Sequence, residues 1–165
     1  MPNIKKLSVV YLEDDEPTRK TMPMFIQESL GDDLIPGVQL DVKTAWNMQG
    51  AIDALSMAEG SKLLLSDLQV ERDFPFKLWN YAAENKTPMI IVSAYDVEKD
   101  KLGKIYEDGM RPLRKKYTNL DIQHIYKLDI MWSKEVLEAI KTKFPKLFKQ
   151  ESDKQSEIRE GIRLR

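Results

Sequence analysis

Strand-length apolar runs alternating with helical stretches predict a doubly wound α/β fold, a five-stranded parallel sheet with helices on both faces. Two observations carry this. The alternation repeats five times, and right-handed crossovers turn such a chain into a parallel sheet covered on both sides. Runs such as Leu63–Ser66 and Met89–Val92 are also continuously apolar, as strands buried on both faces are.

The elements follow in order. Leu7–Leu12 is the first strand, closed by Glu13-Asp14-Asp15. From Pro17 to about Leu30 the pattern is helical, with Met22, Phe25, Ile26 and Leu30 on one stripe and Gly31 as its stop. Val38–Thr44 alternates apolar and polar, as an edge strand does. Asn47–Glu59 is helical through Ile52 and Leu55, with Gly60 as its stop, and Leu63–Ser66 is the third strand. Pro75 suits the first turn of a helix running to Glu84. Met89–Val92 is the fourth strand, ending at Ser93, and Asp96 caps a helix that runs to Asp108, before Gly109. Ile122–Tyr126 is the fifth strand, ending at Lys127. Ser133 caps the last helix, whose inner face holds Val136, Leu137, Ile140 and Phe144. After Pro145 the chain turns polar, and Ser152–Arg165 reads as a frayed end or a loose extra helix.

Composition narrows the function classes. The chain has 165 residues and no cysteine, which excludes disulfides, thiolate metal sites and thiol catalysis. No apolar run reaches the roughly 18 residues of a membrane helix and no signal-peptide pattern opens the sequence, so a cytoplasmic protein without a membrane partner is expected. The charge is uneven: residues 1–67 balance to −5, residues 68–109 to −2 and residues 110–165 to +6. An acidic first part suits a cation, and a basic last part suits either an anionic partner or solvated helix faces.

The stretch L-L-L-S-D-L-Q at 63–69 raises the central question, because a lone acid beside an apolar run is costly unless something pairs with it. The residues after each strand answer it. Strand one ends in Glu13-Asp14-Asp15, strand three in Asp67, strand four in Ser93 and strand five in Lys127. In an open parallel sheet ligands bind beyond the carboxyl ends of the strands, where the order reverses. With order 2-1-3-4-5 these four ends share one crevice, and strand two, which ends without an ionisable group, lies outside it. Clustered carboxylates repel, and a hard divalent cation relieves them; Mg²⁺ suits a few carboxylates, waters and a phosphate. Lys127 supplies a point charge for phosphoryl oxygens, Ser93 a hydroxyl, and Asp67 a carboxylate nucleophile able to form an acyl phosphate.

The pieces V-V-Y-L-E-D-D-E-P-T-R, L-L-L-S-D-L, T-P-M-I-I-V-S-A and I-Y-K, in this order, resemble the receiver domains of two-component response regulators, from about residue 5 to residue 144. The resemblance implies a flavodoxin-like fold in which Asp67 is the phospho-acceptor, Ser93 the switch hydroxyl and Lys127 the phosphate-pairing lysine. Glu13 and Asp14 match the Mg²⁺-binding acidic pair, with Asp15 as second choice because three acids in a row leave the register open. Gln69 would give its backbone carbonyl to the metal. It further implies a phospho-histidine donor, either a sensor histidine kinase or a phosphotransfer protein. Output would run through a partner-binding surface of helix four, strand five and helix five, with a stand-alone receiver spanning residues 1–148 before a tail at 149–165. That tail is short, so output is expected through a partner protein or a domain outside this sequence, and homodimerisation stays open.

Departures from the family pattern are informative. Leu128, not proline, follows Lys127, and Val70-Glu71-Arg72-Asp73 replaces the usual loop after the acceptor. The family's switch aromatic is His124 here, the single histidine, read either as a rotating reporter of Ser93 or as a half-buried packing residue. Tyr95, two residues after Ser93, borders the site and either screens the acyl phosphate from water or packs on the surface. Met110–Asp121 reads as an inserted loop carrying Arg111, Arg114, Lys115 and Lys116, which modifies partner choice or is simply solvated.

Two other readings compete. One is a receiver-shaped interaction module that takes no phosphate. The other is a Mg²⁺-dependent phosphatase with an aspartate nucleophile, which wants Asp-x-Asp after strand one, whereas residues 13–16 read Glu-Asp-Asp-Glu. No separate catalytic turnover is expected of a receiver. Nucleic acid is not expected as a partner, because the basic residues lack interleaved aromatics apart from Tyr117.

Overall fold

The computed structural model describes residues 4–94, 101–127, 132–150 and 162. Five parallel strands, β1 (Lys5–Leu12), β2 (Val38–Ala45), β3 (Ser61–Asp67), β4 (Met89–Ser93) and β5 (Ile122–Tyr126), form one sheet in the order β2-β1-β3-β4-β5. The intervening helices are α1 (Glu16–Gly31), α2 (Met48–Met57), α3 (Phe76–Glu84), α4 (Lys101–Lys116) and α5 (Trp132–Lys143). The fold is the one the alternation of elements implies.

Side chains alternate across each strand, so one apolar run feeds two cores. Leu7, Val9 and Tyr11 of β1, with Leu63, Leu65, Ile90 and Val92, pack against Met22, Ile26 and Leu30 of α1 and Val136 and Ile140 of α5. Val10, Leu12, Leu64, Met89 and Ile91 face the other way, onto Leu55 of α2, Trp79 of α3 and Tyr106 and Met110 of α4. Burying each large apolar side chain contributes roughly 1.5–3 kcal/mol. The edge strands β2 and β5 are only partly buried, as their mixed sequences require.

Helix starts follow from local chemistry. Asp15 caps α1 by accepting the Thr18 N–H at 3.0 Å, and Asn47 caps α2 by accepting the Gly50 N–H at 2.7 Å. Gly60 does more than stop a helix. Its φ is +72°, and a Cβ there would press into the Lys6 carbonyl, so only glycine lets β3 enter the sheet at this point.

Four sequence expectations need correction. Met110–Asp121 is not an uninterrupted loop, because α4 runs through Gly109 and Pro112 to Lys116 and leaves only a short connection to β5. Gly109 is not a stop but a contact: a Cβ on it would fall inside the Phe76 ring, so the glycine lets α4 lie close on α3. Ser133 lies within the first turn of α5 rather than ahead of it. The chain after Pro145 is also not uniformly polar. A short 3₁₀ turn, Pro145–Leu147, leads to buried Leu147 and Phe148, and Phe148 bridges to Leu34 while the Lys149 N–H donates to the Asp33 carbonyl at 2.8 Å. Asp96, Tyr95 and Leu128 lie outside the described residues, as does Ser152–Arg165 apart from Ile162, which is helical and exposed.

Gly109→Ala separates the two roles of that glycine. As a helix interruption its replacement would gain about 1 kcal/mol; against Phe76 it is expected to cost a net 1–2 kcal/mol by overpacking. Urea unfolding of the parent, Gly109→Ala and Gly109→Ala/Phe76→Leu tests this, with partial recovery expected in the double variant.

Candidate functional site

The carboxyl ends of β1, β3 and β5 converge. Parallel pairing sets Leu12 beside Ser66 and Asp67 beside Val92, which aligns the residues that follow each strand on one rim. There Glu13, Asp14 and Asp67 each offer a carboxylate oxygen within 4.8 Å of the others. The Lys127 ammonium lies 2.7 Å from Glu13 Oε2 and 3.4 Å from Asp67 Oδ1. Glu13 is almost fully buried, its side chain 2% exposed, while those of Asp67 and Lys127 are each 17% exposed, open to a small ligand but mostly out of water.

Glu13 is tied down at both oxygens. The buried Tyr11 hydroxyl donates to Oε2 at 2.9 Å beside Lys127, and the Asp15 N–H donates to Oε1 at 3.2 Å. Burying an acid is tolerated only with such partners. Burial and the Glu13 charge push the Tyr11 hydroxyl far above its usual range, so it stays a donor. The three acids thus take different work. Glu13 holds Lys127, Asp14 is half of an open pair with Asp67, and Asp15 is spent capping α1.

Asp14 is aimed from across the crevice. Its Oδ2 accepts the Glu71 N–H at 2.8 Å. Glu71 sits in a two-residue turn closed by Val70 N–H to the Asp73 carbonyl at 2.9 Å and Asp73 N–H to the Val70 carbonyl at 3.0 Å. Both central residues have positive φ, Glu71 at 53° and Arg72 at 69°, a left-handed pattern that usually calls for Asn-Gly. From the other side, Arg19 donates to the carbonyls of Glu13 at 3.0 Å and Asp14 at 3.1 Å, fastening α1 to the acidic loop.

Asp67 is held from below. Its backbone carbonyl accepts the Ser66 hydroxyl at 2.8 Å, which in turn accepts the buried Trp79 Nε1–H at 3.1 Å. Burial raises the Asp67 carboxyl from near 3.8 to about 7, with Glu13 adding to the rise and Lys127 opposing it. Ser93 is buried at the end of β4, and its carbonyl accepts the Lys127 N–H at 2.6 Å, which stitches the β4 and β5 ends together. Gln69 is half-buried just beyond Asp67.

Of the residues singled out from sequence, Glu13, Asp14, Asp67 and Lys127 meet at one point, and Ser93 stands at the adjoining strand end. Asp15, the second choice for the acidic pair, is outside the cluster. His124 lies midway along β5 with its ring 4.6 Å from that of Tyr106. Tyr11, Arg19 and the Glu71 N–H carry no sequence signal of comparable strength; the one clue is that Tyr11 stands two residues before Glu13, the spacing that puts both on one side of an extended chain.

The donor set fits Mg²⁺: hard oxygen ligands, that of Asp14 solvent-facing. No family model matches the chain, and no curated relative matches it. Solved structures do. A receiver protein from Pseudomonas putida aligns at 16% identity over 85% of this chain and 98% of its own, with a TM-score of 0.57. The receiver domain of a Francisella response regulator aligns at 17% identity over 84% and 97%, with a TM-score of 0.54. This chain has the response regulator receiver fold. The response regulator TrrA from Thermotoga maritima, solved with Mg²⁺ and beryllium fluoride, aligns at 16% identity over 84% of this chain and 97% of its own, with a TM-score of 0.54. These identities speak to the receiver fold alone, and the site rests on its own geometry.

Two predictions follow from the electrostatics and the strain. Because the folded-state pKa of Asp67 is raised, the folded protein holds the extra proton, and stability falls as pH rises from about 4 through about 7. Asp67→Asn is therefore expected to stabilise the metal-free protein at pH 8 by roughly 1–3 kcal/mol and to lose this advantage toward pH 4, read by chemical denaturation. Arg72→Gly relieves a left-handed backbone and is expected to gain about 0.5–1 kcal/mol by the same measurement.

Proposed function

We propose that the chain is a phosphorylation-controlled receiver in which Asp67 accepts a phosphoryl group from a phosphohistidine on a sensor kinase or phosphotransfer protein. The observation that supports this best is the single rim where Glu13, Asp14 and Asp67 share 4.8 Å and Lys127 stands 3.4 Å from Asp67. An Asp67 carboxylate oxygen attacks phosphorus, the P–N bond to a donor imidazole protonated on its other nitrogen breaks, and the released nitrogen takes the electron pair. The product is an acyl phosphate on Asp67 and a neutral histidine on the donor. Asp14, Asp67 and the Gln69 carbonyl would hold Mg²⁺ with Glu13 at its edge; when bound, the ion neutralises phosphoryl oxygens and aligns them for in-line transfer.

The chain's own groups do the rest. Burial of Asp67 strips water from the nucleophile, and Lys127 is stored on Glu13 until a phosphoryl oxygen offers a stronger partner. Drawing Lys127 and the Ser93 hydroxyl toward the new phosphate pulls on the β4 and β5 ends and shifts the population toward an altered α4–β5–α5 surface, with His124 as the moving ring. That surface meets a partner protein, and the receiver spans residues 1–148. A module of this kind turns over no separate substrate.

A second reading, a receiver-shaped interaction module that takes no phosphate, draws on one observation: Lys127 is closer to Glu13 than to Asp67. One experiment separates them. Incubated with acetyl phosphate and Mg²⁺, the parent is expected to gain one phosphoryl mass and Asp67→Ala none. An unchanged parent mass, together with no spectral response to beryllium fluoride, would favour the second reading.

A further inference from the structure

The extra turns of α4 build something the receiver reading does not use. Beyond Gly109 the helix carries Arg114 to the edge of the sheet, and Tyr117 follows it, both facing β5. Between them and the strand lies a cavity of about 380 Å³, walled by Tyr106, Arg114, Tyr117, Thr118 and His124 over an apolar floor that includes Ile122. It is formed by α4, β5 and their connection, not by the strand ends that gather the acids.

Two residues of its lining each carry a buried polar atom without a close hydrogen bond: Tyr117 Oη, whose nearest partner is the Lys116 ammonium, and His124 Nε2. Among the described residues these are the two buried side-chain nitrogens or oxygens of that kind, and both belong to this cavity. Each costs about 1–3 kcal/mol unless something bonds to it. Both residues line one cavity, and a ligand seated there is one way to satisfy such groups. Burial holds His124 below its usual pKa, so it meets a ligand as a neutral ring, with Glu107 and Arg114 as the charged groups acting on it.

The charge nearby selects the ligand. Arg114 gives two N–H groups to Glu107, at 2.5 and 3.3 Å, and has three more. Lys116 stands 5.1 Å over the Tyr117 ring, and a second cavity of about 420 Å³, sharing Tyr117 and Thr118, is lined by Lys86 and Lys116. Asp121, the acid on that side, is engaged by Lys143. We infer that the α4–β5 cavity is a binding site for a small organic carboxylate, its oxygens taking the Tyr117 O–H and an Arg114 N–H while its body lies on Tyr106 and Ile122 beside His124.

Occupancy of the cavity calls for no phosphoryl group, although it shares His124 with the proposed switch, so it is tested without phosphodonor or metal. The full chain, labelled at tyrosine and histidine, is titrated with benzoate and, separately, with neutral benzamide, and its ring resonances are followed by heteronuclear NMR. Benzoate is expected to shift Tyr117 and His124 saturably and to bind at least about tenfold more tightly than benzamide, a difference of about 1.4 kcal/mol. Tyr117→Phe, which removes one oxygen from the wall, and Arg114→Gln are each expected to weaken benzoate about tenfold or more while the remaining spectrum stays parental. Tyr117→Phe is also expected to keep or raise the melting temperature, since it removes an unpaired buried hydroxyl. Shifts that do not saturate, that benzamide matches, or that Tyr117→Phe leaves unchanged would overturn the inference.

Discussion

Everything at the functional rim depends on a buried ion pair, Lys127 on Glu13. A sheet edge that gathers three carboxylates is a self-repelling arrangement, and folding it requires either a cation or a proton. Lys127 supplies the cation in part, held 2.7 Å from one acid and 3.4 Å from another, while burial, with a smaller contribution from Glu13, keeps the Asp67 carboxyl raised against it. On the function proposed above, a rim short of positive charge would suit a divalent ion and a phosphoryl group.

The surroundings hold that arrangement by bonds of unequal cost. Below, Trp79, Ser66 and the Asp67 backbone form a dry chain of hydrogen bonds that fixes the end of β3. Above, the left-handed turn at Glu71 and Arg72 spends conformational energy to aim an N–H at Asp14. Strain of this kind persists only where the neighbouring structure over-determines it. Here Leu68, buried and bonded through its N–H to the Val92 carbonyl, pins one side of the turn.

Much of this was legible from residues. The parallel sheet and the four polar strand ends follow from alternation and from where each apolar run stops, which are local properties, whereas the strand order comes with the family resemblance. The roles of particular residues were less so. Gly109 reads as a stop because the reason for it, the Phe76 ring, lies more than thirty positions earlier and enters only when α3 and α4 pack. Positive φ at Glu71 and Arg72 has no sequence mark, because neither residue is one that favours it. That Glu13 rather than Asp67 receives Lys127 turns on side-chain reach: the longer acid extends to the lysine while the shorter stays at the strand end. Phe148 belongs to the core through a bridge to Leu34, a contact that periodicity in a short polar segment does not signal.

The placement of the indoles has a practical outcome. Trp79 is buried and bonded through Ser66 to the acceptor strand, the Lys127 ammonium lies 5.9 Å from the centre of the Trp132 ring, and Trp46 is exposed just after β2. Two intrinsic chromophores therefore bracket the rim, one linked to the Asp67 backbone and one beside the Lys127 ammonium, while the third sits in solvent. Ultraviolet emission of the unlabelled protein, with collisional quenchers silencing the surface indole, makes occupancy of the crevice an optical signal that needs no dye.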